Sequence, residues 1–347
     1  MRVLGIGPRL DLGDLYLSLI REGHDVRVAA YDPAYAGCFA GLLPTVPDWR
    51  AELPWVGTDG VILFEKVGMG AVQDKLRADG YRVVGGSALG DRLEYERALG
   101  LSVLRESGLP IADARPFPNP AAAAEWLRAN PGRVVLKHDN NAQATFVGEH
   151  KHGADVLHRL ARAPNGPVVL MQRLQGVEVG VGAYFDGQRF LRPACVDFEH
   201  KRFFPGEMGE MTGEMGTLVS YEGADRLFAA VLQPLEARLA AAGHVGYLNV
   251  NTIANEDGLW PLEFTCRFGN PGFAVLAPLQ RDGWGDLLAR MARGGAGSFA
   301  IHGGWCVGIC LTVPPFPEEL PGADPAADPP LFFHAEPSGV EAPHYHY

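Results

Sequence analysis

The sequence predicts an α/β fold with a doubly wound parallel sheet at its N-terminus, continued by an α+β unit built on antiparallel hairpins. Three observations carry this. Strand and helix signals alternate over residues 1–90, the arrangement that parallel strands and their crossovers require. A Pro- and Ala-rich connector, "IADARPFPNPAAAAEWLRANPG", closes that part. Two hairpin signals follow, at 176–202 and 244–272.

In chain order, "RVLGIG" (Arg2–Gly7) reads as a buried strand, "DLYLSLIREG" as a helix closed by Gly23, and "DVRVAAYD" as the next strand. "DGVILFE" and "YRVVGG" repeat the strand signal around the helix "GAVQDKLRADG". The first turn, "GIGPRLDLGD", lacks the GxGxxG spacing, which argues against a nicotinamide site. Arg92–Pro110 reads as one helix, stopped by Gly108 and Pro110. Beyond the connector, "RVVLKHD" and "PVVLMQRL" are buried strands separated by one helical segment. The first hairpin turns at Asp186-Gly187, and "NEDG" turns the second. Between them, Phe203–Thr217 reads as a long loop, too glycine-rich for a helix and too charged for a buried strand, and Glu222–Gly243 reads as one amphipathic helix. From Pro314 the chain is rich in Pro, Gly and Asp and ends in "HYHY".

With 347 residues the chain can form two or three domains with real cores. A net charge of −11 weighs against a nucleic-acid partner. No apolar run reaches the roughly 18 residues of a membrane span, and "MRVLGIG" enters a strand without leader architecture, so a cytoplasmic location is expected. The five cysteines show neither metal-finger nor redox spacing and read as structural.

The chemistry concentrates on the hairpins. The first carries Glu178, Glu199, His200, Lys201 and Arg202, and the second carries Asn249, Asn251, Glu263 and Arg267. Lys137 closes the strand "VVLK", where a buried ammonium needs an anion. Cations and carboxylates facing one sheet suit phosphates and a magnesium ion: lysine acts as a point charge, arginine forks onto two oxygens, and magnesium takes one or two protein oxygens. Read alone, Glu199–Arg202 would be a solvated face and Glu263 an ion pair with Arg267; their succession points instead to a site.

"EHKR", "GEMTGEMG" and "EFTCRFGNP" resemble, in order and interval, the DHKR, GPNTGGMG and EFNxRFGDP motifs of the phosphoribosylamine–glycine ligase family of the ATP-grasp superfamily. The resemblance runs from about Gly85 to His334 and is weak before that. It implies an ATP-grasp fold: a Rossmann-like domain at 1–110, a small lid subdomain at 111–174, a large catalytic subdomain at 175–300 and a shortened C-terminal part at 301–347. It also implies an ATP- and Mg2+-dependent ligase that joins a carboxylate, such as that of glycine, to an amine through an acyl phosphate, working as a monomer or homodimer. By the resemblance, Arg97, Lys137, Met171, Gln172, Leu174 and Glu178 would hold ATP. His200, Lys201 and Arg267 would surround the transferred phosphoryl group. Glu263, Asn251 and Thr265 would face magnesium, and Glu199, Arg202, Thr212, Gly213, Glu214 and Met215 would meet the substrate.

The sequence also departs from the family pattern. Thr265 replaces the motif's Asn, and the lid stretch "HDNNAQATF" has neither glycine nor lysine. Arg97 and Leu101 stand in place of two helix lysines, and "GPRLDLGD" replaces the N-terminal loop GGREHA. These departures keep two alternatives open: a nucleotide-binding protein without catalysis, and a ligase attaching an amino acid to a modified base or peptide.

Overall fold

The computed structural model describes residues 1–138, 145–295 and 297–317. Most of the predicted lid stretch, the segment "LFFHAEPS" at the end of the stretch that resembles the family, and the terminal "HYHY" lie outside these residues.

Four strands, β1 (Arg2–Gly7), β2 (Asp25–Ala30), β3 (Val61–Phe64) and β4 (Val83–Val84), form a parallel sheet in the order β2-β1-β3-β4. All four residues of β3 are buried, as both-face coverage demands. On one face Val3, Val61 and Leu63 meet Leu15 and Leu19 of the helix Gly13–Arg21. On the other, Leu4, Ile6, Ile62 and Phe64 meet Trp49, Val56 and Leu76.

The second sheet is antiparallel, with the order β5-β8-β6-β7 for β5 (Ala114–Phe117), β6 (Val134–His138), β7 (Phe146–Val147) and β8 (Val168–Gln172). Two helices, Pro120–Ala129 and Ala154–Leu160, build its core with Leu136, Val168 and Leu170. The expected connector is therefore structured. Asn119 accepts the Ala122 amide at 2.9 Å, Pro120 starts the helix, and the alanines that read as linker are good helix formers.

The third sheet has six antiparallel strands in the order β13-β12-β9-β10-β11-β14. They are β9 (Val177–Phe185), β10 (Cys195–Phe204), β11 (Met208–Ser220), β12 (Gly246–Asn255), β13 (Gly258–Thr265) and β14 (Cys306–Ile309).

Three expectations are corrected. The loop predicted at Phe203–Thr217 is a hairpin in which β10 and β11 meet across a tight turn, with Gly206 and Glu207 at positive φ. The predicted helix at Arg92–Pro110 breaks at Glu96, whose ψ of 78° separates Ala88–Tyr95 from Arg97–Glu106. The predicted helix Glu222–Gly243 contains a π segment at Phe228–Leu232 and a 3-10 turn at Gln233–Leu235. Pro234 has no N–H with which to continue the α ladder.

Candidate active site

One face of the six-stranded sheet carries a cleft of about 190 Å³ lined from β10, β11, β12, β13 and the segment after β13. The two-residue period of β10 decides what enters it: Asp197, Glu199 and Lys201 line the cleft, while His200 and Arg202 do not. His200 instead lies 3.2 Å from the Phe204 carbonyl and 3.5 Å from Glu207, and Arg202 donates to the Gly209 carbonyl at 2.9 Å. His200 and Arg202, expected beside the transferred phosphoryl group and the substrate, thus stand outside the lining of this cleft.

Opposite Lys201 the β10–β11 register is interrupted. His200 pairs with Gly216 and Arg202 with Met211, so Thr212–Met215 bulge out against a single residue. The Thr212 hydroxyl donates to the Lys201 carbonyl at 2.9 Å, and Gly213 and Glu214 reach the cleft wall; Thr212 and Met215 do not.

Lys201 is the electrostatic centre. Its Nζ lies 2.7 Å from Glu178, 3.0 Å from Glu199 and 3.9 Å from Glu263. Burial alone would lower this ammonium, but Glu199, Glu178 and Glu263 outweigh it and raise its pKa. Glu263 also accepts from Arg97 at 2.7 Å, and this pair replaces the one expected with Arg267. Burial would raise the Glu263 pKa, yet Lys201, Arg97 and Lys137 hold it below the usual carboxylate range. Arg267 faces Glu94 at 3.5 Å, a partner that nothing in the sequence spacing announced. Lys137, near the end of β6, is lowered to about 8, first by burial and then by Arg97. The strip joining β8 to β9 differs along its length: Met171 is buried in its sheet, Gln172 is exposed, and Leu174 and Glu178 are half-buried.

The cleft floor adds Asp197, Thr217 and Tyr247 to the expected residues. Asp197 accepts from Asn249 Nδ2 at 2.6 Å, and Asn249 also contacts the Tyr247 hydroxyl at 3.3 Å. Burial, then Glu199, pushes Asp197 up to about 7. Burial, then Glu199 and Asp197, pushes Glu214 up to about 8. Asn251 donates to Glu199 at 3.2 Å, leaving its Oδ1 buried without a hydrogen-bond partner. The legible signal for the floor is the alternation Asp197-x-Glu199-x-Lys201 and Asn249-x-Asn251, which places each set on one sheet face.

Asn251 and Glu263 are paired across β12 and β13, with Thr265 opposite Asn249 two residues on. This all-oxygen set, with an orphaned buried carbonyl oxygen in it, fits a magnesium ion. Lys137, Lys201 and Arg97 gather around Glu263, with Arg267 on the cleft wall, the kind of positive charge a polyphosphate would need.

The family model described as phosphoribosylglycinamide synthetase, ATP-grasp (A) domain, matches residues 97–273. The phosphoribosylamine–glycine ligase of Nostoc sp. is 30% identical over 223 residues, covering 60% of this chain and 52% of that protein. The enzyme of the same name from Corynebacterium ammoniagenes is 26% identical over 296 residues, covering 78% of this chain and 67% of that protein. The chain thus spans between half and two thirds of these relatives. Among solved structures, the phosphoribosylamine–glycine ligase of Thermotoga maritima superimposes with a TM-score of 0.70 at 18% identity, covering 92% of this chain and 82% of that one. N5-carboxyaminoimidazole synthetase from Staphylococcus aureus gives 0.59 at 14% identity, covering 86% and 79%. These two likenesses bear on the fold, which is ATP-grasp.

Proposed function

The chain belongs to the phosphoribosylglycinamide synthetase ATP-grasp family, whose model spans just over half of it, and from that premise we propose that it is an ATP-dependent carboxylate–amine ligase. The observation that carries the reading is the gathering of Lys137, Arg97, Lys201, Glu178 and Glu263 into one electrostatic cluster beside the cleft.

ATP with magnesium would supply the phosphoryl group that activates a carboxylate as an acyl phosphate, with ADP leaving, and the amine would then displace phosphate from the acyl carbon to give the amide. The chain's own contribution is position and charge, the dominant need of phosphoryl transfer. Glu263 and Asn251, with Thr265 beside them, would hold magnesium. Lys137, Lys201 and Arg97 would neutralise the phosphates, and Met171–Glu178 would border the nucleotide. Lys201 and Arg97 are now paired with carboxylates, so binding a triphosphate exchanges one set of anions for another without moving the cations far. Arg267, fixed by Glu94, would face the acyl group. An amino acid such as glycine is the proposed carboxylate donor. Cys195, Cys266, Cys306 and Cys310 are free thiols, in keeping with a cytoplasmic enzyme of small molecules.

The test is ADP release from ATP and magnesium across amino acids and amine acceptors. Turnover with one pair supports the ligase. ATP binding without turnover by any pair favours a nucleotide-binding protein instead.

A further inference from the structure

In the order β2-β1-β3-β4 the chain leaves β1 first to one side and then to the other, so the switch point of the parallel sheet lies between the carboxyl ends of β1 and β3. In such a domain the loop after β1 and the start of the next helix form an anion site, where a phosphate meets backbone amides beside a glycine. Here that loop is "PRLDL", between Gly7 and the helix Gly13–Arg21, in the stretch that departs from GGREHA. The place is already filled. Glu65, directly after β3, is 2% exposed, and its carboxylate lies against Gly7, where a Cβ would overlap it. The Tyr16 hydroxyl donates to Oε1 at 2.7 Å, while Oε2 is buried without a hydrogen-bond partner. Burial raises the Glu65 pKa to about 7, against the lowering effect of Tyr16 and of the Leu12 and Asp11 amides. The carboxyl group thus stands beside the amides that a phosphate would use, before a helix whose own N-cap residue, Leu12, supplies no side-chain acceptor. An orphaned Oε2 costs free energy, so stability alone does not account for Glu65. Asp11 adds a second carboxylate, and the cations at hand serve it: Lys66 at 2.6 Å and Arg9 at 3.6 Å. The crevice adjoins the cleft, since Lys66 and Arg267 both act on Glu94 and Arg267 lines the cleft wall.

We propose that Glu65 is a specificity-determining residue, a carboxylate of the chain itself that takes the phosphate position of the parallel-sheet domain and restricts the ligase to acceptor amines whose far end carries no phosphate. This rests on the ligase reading, and it separates the chain from relatives whose names specify phosphoribosylamine. To enter, a phosphate would have to displace a carboxylate wedged against the backbone of β1 and set its charge beside Glu65 and Asp11. An uncharged group meets neither obstacle. The exposed Tyr31, near both Glu65 and Tyr95, gives such a group a ring to pack on.

The experiment titrates inorganic phosphate into the full chain without ATP or magnesium and follows the backbone amides of Gly7, Leu12 and Gly13 by NMR. In the native chain these amides should stay where they are, whatever phosphate does in the cleft. In Glu65→Ala they should shift and saturate, with an affinity at these amides about tenfold or more above the native chain's, and acetate should compete by refilling the vacated place. Glu65→Gln keeps the bulk and should stay closed. Glu65→Ser, with a hydroxyl left beside Tyr16, keeps the test decisive if Glu65→Ala folds poorly. A second arm measures ADP release with glycine and either ribosylamine or phosphoribosylamine, each formed in place from ammonia and the sugar. The phosphate should improve kcat/KM of the native chain by less than about tenfold, and should improve that of the Ala or Ser variant by more. The proposal is overturned if phosphate shifts those amides in the native chain, if neither smaller variant, folded, gains phosphate there, or if the native chain prefers phosphoribosylamine about tenfold or more. Failure of both amines to release ADP counts against the ligase reading alone, because the phosphate titration needs no turnover and still decides the role of Glu65.

Discussion

Lys201 does two things at once, and its removal should show both. It neutralises Glu178, Glu199 and Glu263, and it sits where phosphate charge would be received. Lys201→Ala leaves three carboxylates facing one another in a partly buried site, so a stability loss of about 3 kcal/mol is expected in urea unfolding. ADP release should fall by about two orders of magnitude or more, the usual effect of losing a preorganised charge. Asp197 makes a prediction of the opposite kind. Its folded pKa is raised from 3.8 to about 7, so the folded chain holds a proton that the unfolded chain gives up. The stability this contributes is full below about pH 4 and is lost as pH rises toward 7. Glu214 acts in the same direction up to about pH 8. Relative to the native chain, Asp197→Asn should therefore gain stability with rising pH, on the order of 3 kcal/mol across that window. Urea midpoints of the two proteins, measured at pH 4, 5.5 and 7, check it; parallel curves would contradict it.

At the scale of the element, β9 is the strand whose side-chain absences matter. It is paired on both edges, by β10 and β12, so its backbone cannot retreat from an added methyl group. Gly182→Ala drives a Cβ into the Tyr247 hydroxyl and should cost about 1–3 kcal/mol, read as a lowered thermal midpoint. Gly180→Ala meets the Asp197 carboxylate instead, and should lower the thermal midpoint in the same way. What was legible in the sequence divides along the same line. The parallel strands and the second hairpin were readable because apolar runs and turn residues agree there. The β10–β11 hairpin was not: Gly206, Gly209, Gly213 and Gly216 read as loop, whereas β11 pairs with β10 across a tight turn and also with β14, a partner so distant in sequence that it leaves no local trace. The run of charges at Glu199–Arg202 likewise looked like one cluster, yet strand alternation sends Lys201 into the cleft and His200 out of it. Glu94 escaped notice because it lies on a helix far from Arg267 in sequence, and only folding brings the two within 3.5 Å. The motifs located the site, and the pleat decided which of their residues enter it.

The whole molecule is tied together by a segment that carries none of the chemistry. The helix Trp284–Arg293 comes after the six-stranded sheet's main strands but packs against the N-terminal parallel sheet, burying Trp284, Leu287, Leu288 and Met291 with Val3, Leu15 and Leu63. Trp284 also touches Phe273 and Tyr184, at ring separations of 6.0 and 6.4 Å, so one side chain bridges the parallel sheet and the sheet that bears the cleft. The N-terminus of this helix has no side-chain cap of its own. Glu22, just beyond the first helix, supplies one, accepting the Trp284 and Gly285 amides at 2.8 Å each. A carboxylate there satisfies two orphan donors and opposes the positive end of the helix dipole. Glu22→Ala should therefore cost about 1–2 kcal/mol, as loss of a cap does. The loss should appear first in hydrogen exchange, as reduced protection at Trp284 and Gly285. Glu22→Gln retains an acceptor and should lose less. Because Trp284 carries the contact between the sheets, amides of β1 and β9 should lose protection together in Glu22→Ala. Loss confined to β1 would mean that the parallel sheet unfolds on its own and that the cleft does not depend on it.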